Sequence, residues 1–298
     1  MTKYSFLITG ASSGLGLQIA TEALKGGHSV VATARDPAAA AQSHPEIESL
    51  GGSWVQLDVT RPDTKDRVAE IVKEKGVNVL VNNAGYGLLG SLEDISEEEF
   101  ITQIDTNLFG TMRCIKGALP HLRSLGGLDS GATIVNIGSI VNLAAFPACT
   151  AYSASKMGVE ALTETLALEV GTAGIRVVLI DLGIFRTSFL HSFKKPEAGM
   201  AEAYSGGAVD ATVNFLADLA GKQPGDPVQA ARRIVEIVDR TGDHPLTRDL
   251  ADKGVGKYLR VPLGSDSFGS FAAKIDSLNE VKSSSVFEAL AKSTDFAP

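Results

Sequence analysis

The sequence predicts one α/β domain built on a doubly wound parallel sheet of about seven strands, with an additional helix at the C-terminal end. Three observations carry that prediction. Short runs rich in Val, Ile and Leu alternate with longer helical patterns; the runs show no polar alternation, as suits strands covered on both faces; and a glycine-rich turn stands between the first run and the first helix.

Residues 4–9 form the first strand, and Gly10-Ala11-Ser12-Ser13-Gly14-Leu15-Gly16 opens a helical pattern of Leu17, Ile19, Ala20, Ala23 and Leu24, closed by Gly26-Gly27 before a second strand at 29–34. A strand, a glycine turn and a helix are the first half of a dinucleotide-binding unit. One glycine permits the tight turn, another lets backbone approach a pyrophosphate, and the helix N-terminus offers unpaired N–H groups to its charge. A glycine cluster alone suits a plain turn equally well; the place between strand and helix favours the phosphate cradle.

The alternation continues with a strand at 54–57, a helix at 63–75 and a strand at 78–82. Helical patterns follow at 96–112 and 113–125, then a strand at 133–137, a long helix at 151–172 and a strand at 175–181. Residues 184–226, with Phe185, Phe189, Phe193, Tyr204 and Phe215, are too long for a plain connection and are read as a substrate-binding loop or lid. A helix at 228–240 and a strand at 258–263 complete the sheet, Pro262 suiting an edge or strand end. In the extension at 266–298, Phe268, Phe271, Ile275, Leu278 and Val281 recur at helical spacing, which predicts a helix packed on the body. Residues 1–298 are thus read as a single domain.

Composition narrows the function classes. The chain is 298 residues long, 44% hydrophobic and 21% charged, as a folded globular protein should be. A formal net charge of −8 argues against a nucleic-acid surface. Two cysteines, Cys114 and Cys149, make no disulfide framework and suit a reducing compartment. No signal-peptide pattern precedes the first strand. The apolar stretch 133–151 is broken by Asn136, Asn142 and Pro147, so no membrane span is expected. These features together read as cytoplasmic.

The chemistry centres on Tyr152 and Lys156, four positions apart in Ala151-Tyr152-Ser153-Ala154-Ser155-Lys156. On a helix they share one face. A cation favours a phenolate, and lowering a tyrosine by about three pKa units takes roughly 4 kcal/mol of bias. The pair alone would equally describe a half-buried Tyr with a solvated Lys. Three further features precede it in order: Thr9-Gly10 with Gly14 and Gly16, Asn82-Asn83-Ala84-Gly85, and Ser139, 13 residues before Tyr152.

This ordered set resembles the short-chain dehydrogenase/reductase family, over about residues 3–190. The resemblance implies a Rossmann-type fold and a role for each residue. Tyr152 would exchange a proton with the carbonyl or hydroxyl oxygen, and Ser139 would hydrogen-bond the same oxygen. Lys156 would lower the pKa of Tyr152 and hold the nicotinamide ribose, and Asn107 would hold a water linking Lys156 to solvent. The implied cofactor set is Gly10, Ser12, Ser13, Gly14, Leu15, Gly16, Arg35, Asp58, Val59, Asn83, Ala84, Gly85, Gly183, Ile184 and Thr187, together with Tyr152 and Lys156. No metal ligand is assigned.

Ala34 falls where an acidic residue would grip the ribose of NAD, and Arg35 follows it, able to pair with a 2′-phosphate; this favours NADP over NAD. Asp36 precedes Pro37 and is read as a helix N-cap. Asp58 is expected at the adenine ring or, more plainly, as the cap of a turn before Pro62. One departure stands out: Leu182 occupies the place of the family's proline before Gly183, which should loosen the loop that follows.

The function expected is an NADP(H)-dependent oxidoreductase interconverting a secondary alcohol and a ketone. Leu88, Leu89, Val141, Leu143, Phe146, Phe185 and Phe189 point to a mainly apolar small molecule; Arg186, His191, Lys194 and Lys195 could instead meet a carboxylate. The alternatives are a dinucleotide-sensing module without turnover, which the intact Tyr/Lys pair disfavours, and a non-redox relative such as an epimerase or dehydratase. The helices at 99–112 and 151–172 are expected to build a homodimer or homotetramer.

Overall fold

A computed structural model of the chain describes residues 4–240 and 253–294. The first three residues, on which the missing leader pattern was partly read, and the last four of the expected extension lie outside the described residues.

Seven strands form one sheet: β1 Ser5–Ile8, β2 Ser29–Ala34, β3 Ser53–Gln56, β4 Val79–Asn82, β5 Thr133–Ile137, β6 Arg176–Leu182 and β7 Leu259–Leu263. Their order is β3-β2-β1-β4-β5-β6-β7, and every neighbouring pair is parallel. The order reverses between β1 and β4, so the crevice beyond the carboxyl ends of those two strands is where such a sheet receives a ligand.

Alternation along each strand builds two cores. Phe6 and Ile8 of β1 join Ile19, Val30, Val81 and Ile234 on one face, against α1 (Gly14–Lys25) and α9 (Pro227–Asp239). Leu7 joins Val68, Leu80, Ile134 and Leu166 on the other, against α4 (Thr64–Glu74), α6 (Gly110–Ser124) and α7 (Thr150–Val170). Each fully buried side chain of this kind is worth about 1.5–3 kcal/mol of transfer free energy. The short helices α2 (Pro37–Ser43) and α3 (Glu46–Ser49) link β2 to β3, and Asp36 caps the first as expected, accepting from the Ala39 N–H at 2.9 Å with Pro37 in the first turn.

The helical stretch beginning at residue 97 differs from expectation. It is one path, α5 (Glu97–Ile104) continuing through a wide π-helical turn at Asp105–Phe109 into α6. A reciprocal box between Ser96 and Glu99 starts it. Apolar periodicity continues across a π turn with only a shift of face, so the sequence does not show it.

Residues 184–226 lie over the carboxyl ends of the strands and contain a helix that the sequence reading omitted, α8 (Ala208–Leu219). The middle of this segment is stitched to the loop after β4: Lys194 N–H donates to the Gly87 carbonyl, Leu89 N–H to the Lys194 carbonyl, and Glu197 N–H to the Glu99 carboxylate, all at 2.9 Å.

The C-terminal extension overturns one expectation. It is two helices, α10 (Ser265–Ser283) and α11 (Ser285–Lys292), anchored on the body at the start of α10, through buried Ser267 and half-buried Phe271. Phe268, Leu278 and Leu290 are 61%, 57% and 64% exposed, and Ile275 and Val281 are exposed as well. The helical period was real, but a period fixes which residues share a face, not what covers that face. No described helix is long and apolar enough to cross a membrane.

Candidate active site

A cavity of about 860 Å³ runs along the carboxyl edge of the sheet, from Arg35 and Asp58 at one end past the glycine turn to Ser139, Tyr152 and Lys156 at the other. The glycine turn is shaped by backbone need. Gly10 and Gly14 have φ of +64° and +55°, a region side chains rarely enter, and a Cβ on Gly10 would press to 2.8 Å from the Ala84 Cα. The Thr9 hydroxyl accepts from the Asn83 and Ala84 N–H groups, both at 3.0 Å, and the Asn83 amide donates to the Thr9 and Gly10 carbonyls at 3.0 and 3.1 Å. The two strand ends are thereby tied across the reversal point.

Most of the expected residues line this cavity: Gly10, Ser12, Ser13, Gly14, Leu15, Arg35, Asp58, Val59, Asn83, Ala84, Gly85, Ser139, Tyr152, Lys156, Gly183, Ile184 and Thr187. Gly16 and Asn107 do not. Gly16 is buried behind the turn, where a Cβ would strike Asn83 and the Gly10 carbonyl. Asn107, in the π turn, sits behind the wall. Its amide nitrogen donates to the Tyr86 carbonyl at 3.0 Å and the Ser155 hydroxyl at 2.9 Å, its amide oxygen accepts from Tyr86 N–H, and its main-chain oxygen accepts from the Thr111 hydroxyl at 2.8 Å. Ser155 in turn donates to the Tyr152 carbonyl at 2.7 Å, so Asn107 braces the helix that bears Tyr152.

Asp58 is a turn residue that also lines the cavity. It accepts from the Thr60 N–H and hydroxyl at 3.0 and 2.7 Å. Against the upward push of partial burial, those two bonds and the Arg35 and Arg61 guanidinium charges hold its carboxyl below the usual range. Ser139 likewise caps the short turn Ile140–Asn142 while presenting its hydroxyl to the cavity.

Tyr152 and Lys156 are both buried at one wall, the ammonium 6.0 Å from the phenol ring centroid. Burial pushes the Tyr152 phenol up to about 12, with the Ser139 hydroxyl pulling the other way. Burial pushes the Lys156 ammonium down to about 8, opposed by the Asp181 carboxylate. The Lys156 ammonium donates to the Ile137 carbonyl. Desolvation therefore outweighs the Ser139 bond, and the phenol is raised rather than lowered, against the expectation from its pairing with Lys156.

Several contributors escaped the sequence reading. Asp181, fully buried at the end of β6, accepts from the Asn142 amide at 2.9 Å and pairs with Arg260 Nε at 3.1 Å, while Arg260 also pairs with Glu160. Burial raises the Asp181 carboxyl to about 6. Phe193 packs on Gly87, where a Cβ would overlap its ring, and stands edge-on to Tyr152, with Phe189 completing an aromatic trio. The sequence points to Phe189 as a substrate neighbour but marks Phe193 only as part of the 184–226 segment. Ile184 has its N–H and carbonyl engaged by Asp266 and Gly225. Leu182, in place of a proline, pairs with Leu263 and carries β6 one residue further.

Comparison with known proteins agrees with this geometry. Residues 5–198 match the model of the short chain dehydrogenase family. The chain is 43% identical over 221 residues to the oxidoreductase claN of Passalora fulva, covering 74% of this chain and 99% of that protein. A short-chain dehydrogenase from Streptomyces avermitilis superposes with a TM-score of 0.79 at 32% identity, covering 99% of this chain and all of the other. ElxO with NADP bound gives 0.67 at 28% identity, over 91% of this chain and 100% of ElxO. The 3-ketoacyl-(acyl-carrier-protein) reductase of Brucella melitensis, complexed with NADH, gives 0.68 at 26%, over 88% and 98%. With its seven-stranded parallel sheet and these relatives, the chain belongs to the short-chain dehydrogenase family of oxidoreductases, which bind nicotinamide dinucleotides.

Proposed function

We propose that the protein uses NADP(H) to interconvert a secondary alcohol and a ketone on a mainly apolar small molecule, with Tyr152 moving the proton. The observation that carries this reading is the convergence of the Ser139 hydroxyl, the Tyr152 phenol and the buried Lys156 ammonium on one cavity wall, between a glycine turn and an apolar lining.

The residues present fit the cofactor. Gly10 and Gly14 take the positive φ that the tight turn requires, Gly10 also meeting Ala84 where a Cβ would clash, and the first turn of α1 offers N–H groups to a pyrophosphate. Exposed Arg35, at the end of β2, suits a 2′-phosphate, and Asp58 lies at the same end. Lys156 has two further N–H donors for ribose hydroxyls beyond the one given to Ile137. When bound, the nicotinamide supplies or accepts the hydride.

The chain's own work is proton and charge control. With its pKa raised, Tyr152 is protonated at neutral pH and can donate to the oxygen of a ketone. The Ser139 hydroxyl steadies that oxygen as charge develops on it. Ile140, Val141, Phe146, Phe189, Phe193 and Phe215 line the remaining space and exclude water from the transfer. Exposed Ile101 and Phe109 on the α5–α6 path, with Met157 and Leu168 on α7, support assembly into a homodimer or homotetramer through those helices.

The test is NADPH oxidation against a panel of apolar ketones, with the alcohol quantified. Stoichiometric alcohol formation is expected; NADPH binding without turnover across the panel would favour a sensing role.

A further inference from the structure

The first turn of α10 reaches the cavity from the far end of the sequence. The Asp266 carboxylate accepts from the Ile184 N–H at 2.7 Å. The next residue, Ser267, is fully buried and donates its hydroxyl to the main-chain oxygen of Asp181 at 2.8 Å. Between these two contacts lie Leu182 and Gly183, and the Gly183 N–H donates to the Leu263 carbonyl at 2.8 Å. Adjacent side chains of α10 thus grip the chain on both sides of the turn that leaves β6.

The fit is close and depends on glycine. A Cβ on Gly183 would overlap the Asp266 carboxylate, and one on Gly264, where φ is +104°, would press on the same oxygen. Leu182, Gly183, Ile184, Phe185 and Thr187 all line the cavity near Tyr152, and Thr187 lies against Gly14, at the opposite side of the crevice. A proline at 182 would restrain this turn by its fixed φ; leucine does not, and a charge-assisted bond from Asp266 holds the turn instead.

We propose that Asp266 is a positioning residue for the nicotinamide end of the site, which makes the first turn of the C-terminal extension part of the cofactor-binding apparatus. The proposal rests on the NADP(H) reading of the cavity. Asp266 acts through the Gly183–Ile184 turn and touches neither the adenosine half of the cavity nor Arg35.

The test compares two ligands on the full-length protein by calorimetry: NADPH, and adenosine 2′,5′-bisphosphate, which carries the 2′-phosphate but no nicotinamide. Asp266→Ala should weaken NADPH about tenfold, the loss of one charged hydrogen bond, and leave the bisphosphate within about twofold. With a ketone substrate kcat should fall, because the nicotinamide is poorly oriented, while the ketone KM holds. Asp266→Asn keeps an acceptor oxygen and should show a smaller split of about threefold, which also serves if the alanine variant does not fold. Equal weakening of both ligands would reveal a merely structural residue and overturn the proposal, as would an Asp266→Ala protein that binds NADPH as wild type does. Wild type that fails to bind NADPH removes the cofactor reading itself, and the proposal with it; wild type that binds NADPH beside an indifferent variant removes the positioning role alone.

Discussion

Lys156 donates to the main-chain oxygen of Ile137 at 2.8 Å, tying α7 to the last residue of β5 and holding a buried ammonium at the cavity wall. Burial brings its pKa from an ordinary 10.5 down to about 8. Folded Lys156 therefore binds fewer protons than unfolded Lys156 between those values, so its contribution to stability is present above 10.5 and lost as pH falls through 8. Lys156→Met removes the burden, offset by the lost bond to Ile137. The variant should be more stable than wild type at pH 7 by about 1–3 kcal/mol, with the advantage shrinking towards pH 10.5. Urea unfolding at both pH values measures this; a less stable variant at pH 7 would contradict the assignment of a strained ammonium.

Arg35 separates the two nicotinamide cofactors. Arg35→Ala should weaken NADPH by about 10- to 100-fold through loss of a charge-assisted phosphate contact, and leave NADH within about twofold. Equal effects on both, by fluorescence titration, would remove Arg35 from the 2′-phosphate.

Gly87 holds Phe193 in place, and Phe193 stands at 86° to the Tyr152 ring with centroids 6.3 Å apart. Gly87→Ala should displace Phe193 and the segment that carries it, raising the ketone KM about tenfold while lowering stability by about 1–3 kcal/mol. An unchanged KM would mean that Phe193 does not bound the substrate space.

Ser155 joins Asn107 to Tyr152 through bonds of 2.9 and 2.7 Å. Ser155→Ala leaves the Asn107 amide one partner short in a buried position, and thermal unfolding should report a loss of about 1–3 kcal/mol. A silent substitution would show that the brace carries no strain.

Local signals were legible and distant ones were not. The strand at 133–137 was read to the residue because every position of Thr133–Ile137 is buried, and such strands write themselves as unbroken apolar runs. Asp36 announced its cap through Pro37 two atoms of logic away: a short polar side chain, then a residue with no N–H to satisfy. Asn107 was found by motif, but its bracing role depends on a π turn whose sequence looks helical. Helix α8 was hidden among Gly206, Gly207 and Gly221, which mask a short amphipathic pattern. Asp181 and Asp266 were invisible as contributors, since their partners come from the Ile140–Asn142 turn, from β7 or from a turn 82 residues away.

The central claim is that the Tyr152 phenol delivers the proton during ketone reduction. Single-turnover NADPH oxidation by Tyr152→Phe, with NADPH affinity measured on the same protein, tests it most directly. The account predicts affinity within about twofold of wild type and a rate lower by about 10²–10⁴. A phenylalanine variant that reduces the ketone at the wild-type rate would contradict it.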